Sequence, residues 1–587
     1  MSRLLIALVF VAMGVPGQFI IRVPPGKIYY VRTDGNNSND GVSNTSGRAW
    51  LTIDFAADHV APGDIVRVQA GTYVEVATPN ISGTSGRTVT LVADGVVTTC
   101  GMSFSSKNYI RVIGFTMDGS VGGCSLTGNR LVISGTNIGL EFWNNNLDNS
   151  DNSFIININD RCNACIVMGG SIHHVNNSAN GLTMTGNDSF VGYVDFATIC
   201  YLGVVPSGNR LRFVNLNFSG LIQCSISHPD FFYIQGLNTL GYSDNLVEST
   251  FGIGTPTSND NKFQHVQPQV GGAWVDNVWR FNVGHNTGSA SLWSMYNVQG
   301  GLSRWKYYAN TLVYGDEAVP NAVACGNIDT PGDTVYIYNT IFFRCWNDLA
   351  TTGIAPWNTS PGTRVADYNL AFDDGGAVSF VADWTNQVHE QSNVDPQLVN
   401  VSADDFTLGA SSGARGTGGP LTTTNGSGVS STSLTVATDT GSFFLGSNAS
   451  NLPQYGGALV PGDVITVGST TVQVTSRSGD TLTLASPLSW NNGDPVYFGS
   501  STTIDIGAYP YKSGGYALSA TYAVSNGIAT ITPTDASLVR FVVCYANGIP
   551  TTVDNSSPYT CPVVGLFEAR VYPRYPSTTL WAVASSQ

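Results

Sequence analysis

The sequence reads WKYYAN at residues 305–310 and TVYIYN at residues 334–339. Similar short apolar segments recur from Asn108 to about Cys345, separated by turns rich in Asn, Gly and Ser. Their starts are often roughly 20 to 30 residues apart, a period typical of solenoids, in which each coil buries its inward face by stacking on its neighbours. Alternation within a segment places one set of side chains inside and the other outside. The pattern predicts an all-β chain built around a right-handed parallel β-helix. A sandwich or a propeller is the alternative, which the irregular loop lengths disfavour.

Composition supports β-structure and limits the expected partners. Only 11 % of the residues are charged, against roughly 25 % in typical soluble proteins. The formal net charge of −15 comes from 25 basic and 40 acidic residues, and no basic stripe is present. Nucleic acid is therefore not expected as a partner. An acidic polysaccharide would be repelled unless a cation such as Ca²⁺ bridged it to the protein.

Residues 1–17 contain one Arg and an apolar run from Leu4 to Met13. This segment resembles a short secretory signal and is too short to span a bilayer as a stable helix. A retained segment would instead serve as a first strand or an assembly anchor, as in a virion protein exported by lysis. The sequence thus predicts a secreted protein, or one on a virion surface, without a membrane span.

The ten cysteines fit an oxidising compartment. Cys100 and Cys124 are separated by close to one β-helix coil, and Cys200 and Cys224 by the same interval. Each pair could therefore lie stacked on adjacent coils, as a disulfide or as two thiols. A CxxC begins at Cys162, but no second CxxC exists, so a zinc site is not expected.

The N-terminal part has a recognisable order of motifs. They are IYYV (28–31), DGNNSNDG (34–41), WLTI (50–53), a helix-like AADHV (56–60), PGDIVRV (62–68) and AGTY (70–73). This order resembles the N-terminal cap and first coils of pectate-lyase-like β-helix proteins. Near the far end, DPQLV (395–399) and DFTL (405–408) resemble the closing coils, and DIGAY (505–509) resembles their terminal motif. The resemblance implies a β-helix over residues 27–420 that is completed by residues 504–512. It says little about activity, because the shared residues build caps and turns.

Two further units are expected beyond the helix. Residues 421–503 are rich in Gly, Ser and Thr and contain alternating runs such as VITV at 464–467, which favour a small inserted β-module. Residues 513–587 resemble a bacterial Ig-like domain, a β-sandwich whose strands Cys544 and Cys561 could staple together. Such modules usually bind a ligand or partner, separate other domains, or take part in assembly. An assembly partner held through the Ig-like unit, or a homo-trimer, is therefore a further expectation.

The candidate substrate-binding residues lie in the middle coils. The outer face of a β-helix offers long grooves in which sugar rings can stack on aromatic faces and sugar hydroxyls can meet polar side chains. The candidates are Trp274, Trp279, Trp293, Trp305, Tyr307 and Arg304. The alternative is that most of these aromatic residues form an internal ladder of the solenoid.

The candidate catalytic residues follow from the chemistry common on this fold. Elimination on a uronic acid needs a strong base, often Lys or Arg, with Ca²⁺ or Arg neutralising the substrate carboxylate. The candidate bases are Lys262, Arg280 and Lys306, and Asp260 or Asp276 would hold the cation. Ordinary salt bridges between coils explain the same residues.

A second candidate is SHPD at residues 227–230, which resembles a His-x-Asp element of lyase-like β-helix proteins. Asp230 would orient or charge the imidazole of His228. Nearby candidates for a carboxylate pair or a metal ligand are Asp244, Glu248 and His265. The pair His173 and His174 is a weaker candidate, because adjacent residues of a strand point to opposite faces.

These features predict a carbohydrate-active β-helix protein, extracellular or virion-borne, that binds a polysaccharide. Its enzymatic option is cleavage by a polysaccharide lyase reaction or, as the second choice, by glycoside hydrolysis. The alternative is a non-catalytic adhesin or a structural fibre component, which the Ig-like end and the sparse carboxylate pairs favour. A trimeric tailspike would be both carbohydrate-active and a structural fibre component, with the Ig-like or inserted module used for attachment.

Overall fold

The structure of the protein is a computed structural model. It describes residues 26–125, 128–149, 154–156, 160–175, 180–221, 230–234, 241–254, 262–267, 274–286, 293–296, 304–314, 325–329, 334–345, 363–374, 378, 380, 388–447, 451–452, 454–577 and 581–585. The signal-like segment 1–17 and the candidates His228 and Asp260 lie outside these ranges.

A parallel β-helix forms the first two thirds of the chain. Its strands are β1 (Ile28–Val31), β2 (Ile65–Ala77), β3 (Val89–Ser105), β4 (Ile110–Asp118), β5 (Leu131–Ser134), β6 (Thr136–Ile138), β7 (Glu141–Asp148), β8 (Phe154–Ile156), β9 (Arg161–Asn163), β10 (Ile166–Val175), β11 (Leu182–Thr185), β12 (Phe190–Gly192), β13 (Asp195–Ile199), β14 (Leu202–Ser207), β15 (Arg212–Val214), β16 (Asn217–Leu221), β17 (Asp230–Ile234), β18 (Leu246–Glu248), β19 (Phe251–Gly254), β20 (Lys262–Val266), β21 (Val278–Arg280), β22 (Val283–Asn286), β23 (Trp293–Tyr296), β24 (Trp305–Tyr308), β25 (Thr311–Tyr314), β26 (Gly326–Asp329), β27 (Thr334–Tyr338), β28 (Ile341–Phe343), β29 (Thr363–Asp367), β30 (Leu370–Phe372) and β31 (Gln391–Ser392). Within the described residues, 29 of them join one sheet, in which each strand pairs in parallel with strands of the neighbouring coils. This confirms the predicted fold class.

Stacked apolar rows fill the interior of the helix. One row runs in register through Phe213, Val247, Trp279, Tyr307 and Ile337, each from a different coil. All five side chains are buried, and the row belongs to the main hydrophobic core. Burying a large apolar side chain contributes about 1.5–3 kcal/mol, so rows of this kind hold the coils together.

Buried asparagines close the corners between sheets. The Asn310 side chain donates from Nδ2 to the Trp279 carbonyl oxygen (2.9 Å) and accepts the Asn282 backbone N–H (3.0 Å). Asn282 repeats the pattern one coil earlier, donating to the Val247 carbonyl oxygen (3.0 Å) and accepting the Thr250 N–H (3.0 Å). The asparagines thus supply partners for backbone groups that the turn removes from the strand ladders.

Each end of the helix carries a distinct cap. At the start lies α1 (Ile53–Asp58), whose N-cap Thr52 accepts the Phe55 N–H at 3.2 Å. The Glu75 carboxylate of β2 accepts the N–H groups of Ile53 (2.8 Å) and Asp54 (3.0 Å), which ties the helix N-terminus to the sheet. Beyond β31 the chain forms the antiparallel pair β32 (Leu398–Asn400) and β33 (Asp405–Leu408), joined by a 3₁₀ turn at 401–403.

An antiparallel sheet of six strands follows, and we call it the inserted sheet. Its elements are β34 (Thr422–Thr423), β35 (Gly428–Thr435), α2 (Gly456–Leu459), β36 (Val464–Val467), β37 (Thr470–Ser478), β38 (Thr481–Trp490) and β39 (Pro495–Phe498). Gly418 and Ile504 form an antiparallel bridge, so the chain leaves the closing segment and re-enters it at one place. Residues Ile506, Ala508 and Tyr509 then pack on the outside of the last coils.

The C-terminal unit has two antiparallel sheets. Its strands are β40 (Ala520–Ser525), β41 (Ile528–Pro533), β42 (Val539–Ala546), β43 (Ile549–Asp554), β44 (Tyr559–Pro562), β45 (Phe567–Pro573) and β46 (Ala582–Ser585). A three-stranded sheet (β40, β41, β44) and a four-stranded sheet (β43, β42, β45, β46) share one core. The disulfide Cys544–Cys561 joins β42 to β44, and therefore one sheet to the other, as the sequence predicted.

Other disulfides staple the helix. Cys100 is bonded to Cys124, so the spacing of one coil marks a disulfide. Cys162 and Cys165 are bonded to each other, which accounts for the CxxC without a metal. Cys200 is disulfide-bonded as well, and its predicted partner Cys224 lies outside the described residues. Among the described residues, no helix is long and apolar enough to cross a membrane.

Candidate functional site

A row of polar side chains follows the outer face of one sheet of the helix. In register from β4 to β16, the row runs through Thr116, Asn146, Ser171, Asp195 and Asn217. Neighbouring strands lie about 4.8 Å apart, so the row is about 20 Å long. Asn146 is exposed, its neighbours are half-buried and only Asn217, at one end, is buried. The row is an open, polar surface whose side chains repeat along the axis of the helix.

Two histidine–aspartate pairs lie beside this row. His173 Nε2 is 3.0 Å from Asp195 Oδ2, and His174 Nδ1 is 2.8 Å from Asp148 Oδ1. The two imidazole rings are 6.3 Å apart and nearly perpendicular. About half of the His174 side chain is exposed, at 54 %, and the other three side chains are each about one third exposed. We call these four residues and the polar row the His–Asp face.

The backbone at His174 explains why both rings reach the same surface. His174 has a φ of 47°, in the left-handed region, so strand alternation stops at this residue. The sequence-based objection to His173 and His174, that neighbours in a strand face opposite ways, therefore does not hold. Each carboxylate fixes the orientation of the imidazole ring to which it is hydrogen-bonded.

A third carboxylate lies opposite Asp148. Asp118 of β4 is paired in register with Asp148 of β7, and the Asn149 side chain donates to Asp118 Oδ1 at 2.9 Å. The Asn149 backbone N–H donates to Asp148 Oδ1 at 2.8 Å, so Asn149 bridges the two carboxylates. Burial raises the pKa of Asp118, but hydrogen bonds from Ser120 and Asn149 outweigh it and lower the pKa overall. Like charges directly opposite each other are unfavourable, and these donors offset the repulsion.

The chemistry available on this face is acid–base chemistry beside a hydrogen-bonding surface. In the part of the chain that the structure describes, no lysine or arginine forms an ion pair with Asp118, Asp148 or Asp195. The buried Arg130 acts on Asp118 without forming an ion pair with it. The three carboxylates outnumber this one cation, so the face favours a neutral glycan over an anionic one. Carboxylates on facing strands and imidazoles held by carboxylates are the groups that general acid–base catalysis uses.

The predicted base Arg280 lies in a different place. Its Nη1 and Nη2 atoms are 2.7 and 2.8 Å from the two carboxylate oxygens of Asp463, which belongs to the inserted sheet. Nη2 is also 3.1 Å from Glu248 Oε2, and Nη1 donates to the Tyr308 hydroxyl at 2.8 Å. With 3 % of its side chain exposed, Arg280 is sealed beneath the inserted sheet. A polymer cannot reach it, so the predicted catalytic role does not fit this position.

Lys306 is covered in the same way. Its Nζ donates to the Asp439 carbonyl oxygen at 2.6 Å and lies 3.4 Å from the centre of the Tyr336 ring. Burial lowers the pKa of Lys306 well below its ordinary value, although nearby acidic groups such as Asp276 oppose the shift. The predicted role as a base on an open ridge is incompatible with this burial.

Arg304 and Asp276 pair with each other. Arg304 Nε is 2.8 Å from Asp276 Oδ1, and Nη2 is 3.0 Å from Oδ2. Burial raises the pKa of Asp276, but Arg304 and Arg477 outweigh it, so the pKa is lowered. Because two arginines already neutralise this carboxylate, the predicted cation site does not fit Asp276. Among the described residues, no group of three or more potential metal ligands occurs.

The predicted aromatic platforms are internal. Trp274, Trp279, Trp305 and Tyr307 are at most 1 % exposed and belong to the main core. The internal ladder, the alternative weighed for them, is what the structure shows. For Trp293 the structure describes only the backbone, which pairs with Gln264 in β20.

A further histidine–aspartate pair involves the predicted residue Asp230. Asp230 Oδ2 is 2.9 Å from His265 Nδ1, and Lys262 is the strand partner of Asp230 in the register of β17 and β20. The Tyr233 ring packs edge-on against His265, with ring centres 4.9 Å apart. The structure thus brings Asp230, Lys262 and His265 to one region. The Asp230 and His265 side chains are 0 % and 4 % exposed, so the His–Asp face is more accessible.

Comparison with known proteins gives distant structural neighbours only. No family model and no curated protein matches the chain. Among solved structures, the pectate lyase Pel9A matches with 15 % identity over 68 % of this chain and 93 % of its own, at a TM-score of 0.39. XylC in complex with xylose matches with 10 % identity over 80 % of this chain and 100 % of its own, at a TM-score of 0.36. The GH136 lacto-N-biosidase from Eubacterium ramulus matches with 11 % identity over 59 % and 67 % of the two chains, at a TM-score of 0.33.

Proposed function

We propose that the protein is a carbohydrate-active β-helix protein that binds a polysaccharide along the His–Asp face and hydrolyses it there. The observation that carries the proposal is the polar row of β4 to β16, which leads directly to two accessible histidine–aspartate pairs. An extended polymer matches a surface whose hydrogen-bonding groups repeat along one axis. The resemblance of the cap and closing motifs to pectate-lyase-like proteins agrees with this proposal but does not select the reaction.

The charge of the His–Asp face supports hydrolysis over elimination, the two reactions expected from the sequence. Elimination requires a cation beside the substrate carboxylate, but the carboxylates of this face pair with histidine and asparagine. Hydrolysis of a glycosidic bond requires two carboxyl groups, one as acid and one as base or nucleophile. Asp118 and Asp148 are partners in register, with Cα atoms about 5 Å apart, and Asp148 is hydrogen-bonded to His174. We therefore assign the reacting carboxyl groups to Asp118 and Asp148, and sugar hydroxyl binding to Asn146, Ser171 and Asp195.

The proposed setting is extracellular, or the surface of a virion. The disulfides between neighbouring coils and within the C-terminal unit support an oxidising environment. The C-terminal sandwich, which resembles an Ig-like domain in sequence, is the proposed attachment point for an assembly partner or for a homo-trimer. Calcium enters the proposal only as a bridge to an acidic polymer, and the assay below includes it.

The test is a turnover assay on a panel of neutral and acidic polysaccharides, with and without Ca²⁺. Reducing-end release and the absorbance of unsaturated uronates are followed together. We expect reducing ends to rise on a neutral polymer without the absorbance signal. The Asp148→Asn variant should lose at least about 100-fold in turnover, because general acid–base groups contribute roughly 10²–10⁴-fold.

A pair of histidine variants at similarly exposed positions separates the face from the rest of the surface: His174 is the test position and His389 is its control. His174, on the face, is 54 % exposed and paired with Asp148, whereas His389, on the last coils, is 52 % exposed and paired with Asp367. His174→Gln should reduce turnover, and His389→Gln should leave it unchanged. If glycans bind but no product forms on any polymer, the protein is an adhesin or fibre component. If none of the polymers binds, the whole proposal is wrong.

A further inference from the structure

A cavity of about 430 Å³ lies where four parts of the chain meet. The coils contribute Glu248, Phe281 and Tyr308, and the closing segment contributes residues 503–505. The inserted sheet contributes Phe498 and the residues just after it, and the C-terminal unit contributes Arg574 and Tyr575. Small-molecule sites are usually clefts of roughly 300–1,000 Å³, and they occur preferentially at domain interfaces. Neither the His–Asp face nor any residue predicted to bind the polymer lines this cavity.

The side chain of Glu248 lies in the wall of the cavity. Glu248 is 3 % exposed, and its Oε2 atom lies 3.1 Å from Arg280 Nη2 and 2.9 Å from Arg540 Nη1. Among the described residues, none donates a hydrogen bond to the other oxygen, Oε1. Burial raises the pKa of Glu248, but the two arginines outweigh it and hold the pKa at about 2. An ionised carboxylate oxygen without a protein donor can accept a hydrogen bond from a bound molecule.

The cavity lining also contains hydrogen-bond donors. Arg574 makes one long hydrogen bond, from Nη2 to the Val539 carbonyl oxygen at 3.3 Å, and its remaining N–H groups have no acceptor among the described residues. Tyr575 and Ser500 also line the cavity. A lining that holds both acceptors and donors suits a molecule that both donates and accepts, as hydroxyl groups do.

The balance of charge indicates a neutral ligand. The acidic groups in and beside the cavity are Glu248, Asp463 and Asp505, and the basic groups are Arg280, Arg540 and Arg574. Since the positive and negative charges cancel, neither an anion nor a cation gains from the site. The aromatic rings of Phe281, Phe498 and Tyr575 provide apolar surface for the faces of a ring.

We propose that this cavity is a binding site for a neutral sugar of one or two rings, separate from the polysaccharide face. The bound hydroxyl groups donate to Glu248 Oε1 and accept from Arg574, while the apolar faces of the sugar pack on the aromatic wall. Because the walls come from the coils, the inserted sheet and the C-terminal unit, the bound sugar ties these parts together. The sugar therefore raises the thermal stability of the protein.

The test is isothermal titration of the full-length protein with glucose, galactose, mannose, rhamnose, maltose and cellobiose, with glucuronic acid and glucosamine as charged controls. We expect at least one neutral sugar to bind with a stoichiometry of one and to raise Tm. The Ser500→Trp variant places a large ring at the cavity from an exposed position and should weaken binding at least tenfold. Ser478, at the end of β37, is also exposed but lies outside the cavity, so the Ser478→Trp variant should bind as the unmodified protein does.

Three results would overturn this assignment: no sugar of the panel binds, only the charged sugars bind, or Ser500→Trp binds as tightly as the unmodified protein. The outcome is independent of the polysaccharide face. Asp148→Asn should retain sugar binding at the cavity, and Ser500→Trp should retain turnover of the polymer.

Discussion

Glu390 makes the last coil of the helix sensitive to pH. Its carboxylate accepts the Asn369 backbone N–H at 2.7 Å and the Asn369 side-chain N–H at 3.0 Å. Burial raises the pKa of Glu390 from its ordinary value of 4.5 to about 7, against the opposing effect of these hydrogen bonds. The folded protein therefore binds this proton more tightly than the unfolded chain does.

The expected consequence is a loss of stability as pH rises from about 4.5 to about 7. The contribution of Glu390 is full below this window and absent above it, because ionisation of a buried carboxyl group is costly in the folded state. The Glu390→Gln variant cannot ionise, so its Tm should fall less than that of the unmodified protein between pH 5 and 8. Parallel Tm curves for the two proteins over this range would contradict the assignment.

Single residues also show where sequence reasoning stops. The two histidines of the His–Asp face were visible in the sequence, but the strand rule placed them on opposite sides. The left-handed backbone of His174 removes that objection, and no local residue preference announces it, because histidine adopts this conformation only occasionally. The partners Asp148 and Asp195 belong to neighbouring coils, so only the register of three strands reveals the pairs.

At the scale of the element, the corner asparagines replace part of the strand hydrogen bonding. Asn310 satisfies the Trp279 carbonyl oxygen and the Asn282 N–H, both of which are buried. The Asn310→Ala variant leaves both groups without a partner and should lower the free energy of unfolding by about 1–3 kcal/mol for each group. Urea denaturation is the measurement. Asn146→Ala, at an exposed position of the polar row, is the control and should change stability by less than about 0.5 kcal/mol.

Elements were the most predictable level of this molecule. The period of the apolar segments predicted the coils, because each coil must bury its inward face. The motifs within 28–73 and 395–408 predicted the two ends. The outward or inward direction of the aromatic residues was less predictable. Trp279 and Tyr307 are as compatible with a sugar platform as with a core row, and only the register decides.

At the scale of the whole molecule, a buried charge cluster joins three parts of the chain. Glu248 and Arg280 come from the coils, Asp463 from the inserted sheet and Arg540 from the C-terminal unit. Removing one member of a buried ion pair typically costs about 3–5 kcal/mol, because a charge is left without its partner. Asp463→Asn should therefore destabilise the protein by an amount of this order and expose the inserted sheet to limited proteolysis.

The double variant Arg280→Met with Asp463→Leu tests the cause of that loss. It removes both charges of the pair and should recover part of the stability, since apolar replacements of a buried pair are often neutral or stabilising. Recovery measured in urea would identify the uncompensated charge as the cause. Additive losses in the double variant would contradict the electrostatic account.

The sequence could not predict this arrangement, and the reason is physical. Arg280 and Lys306 have the spacing and strand parity of an exposed basic ridge, and nothing in their own segments indicates a cover. The cover comes from residues more than one hundred positions later in the chain, at Asp439 and Asp463. The side chains of Arg280 and Lys306 are buried because the segment that carries the inserted sheet packs on them.

The bridge between Gly418 and Ile504 makes the inserted sheet a separable unit of the chain. Since the chain departs and returns at neighbouring points, evolution could gain or lose the intervening unit in one event without interrupting the closing coil. Removal of the unit takes away the Asp463 carboxylate that pairs with Arg280 and the Asp439 carbonyl oxygen that accepts from Lys306. A different unit grafted at this place must therefore supply a carboxylate for Arg280 and a carbonyl oxygen for Lys306.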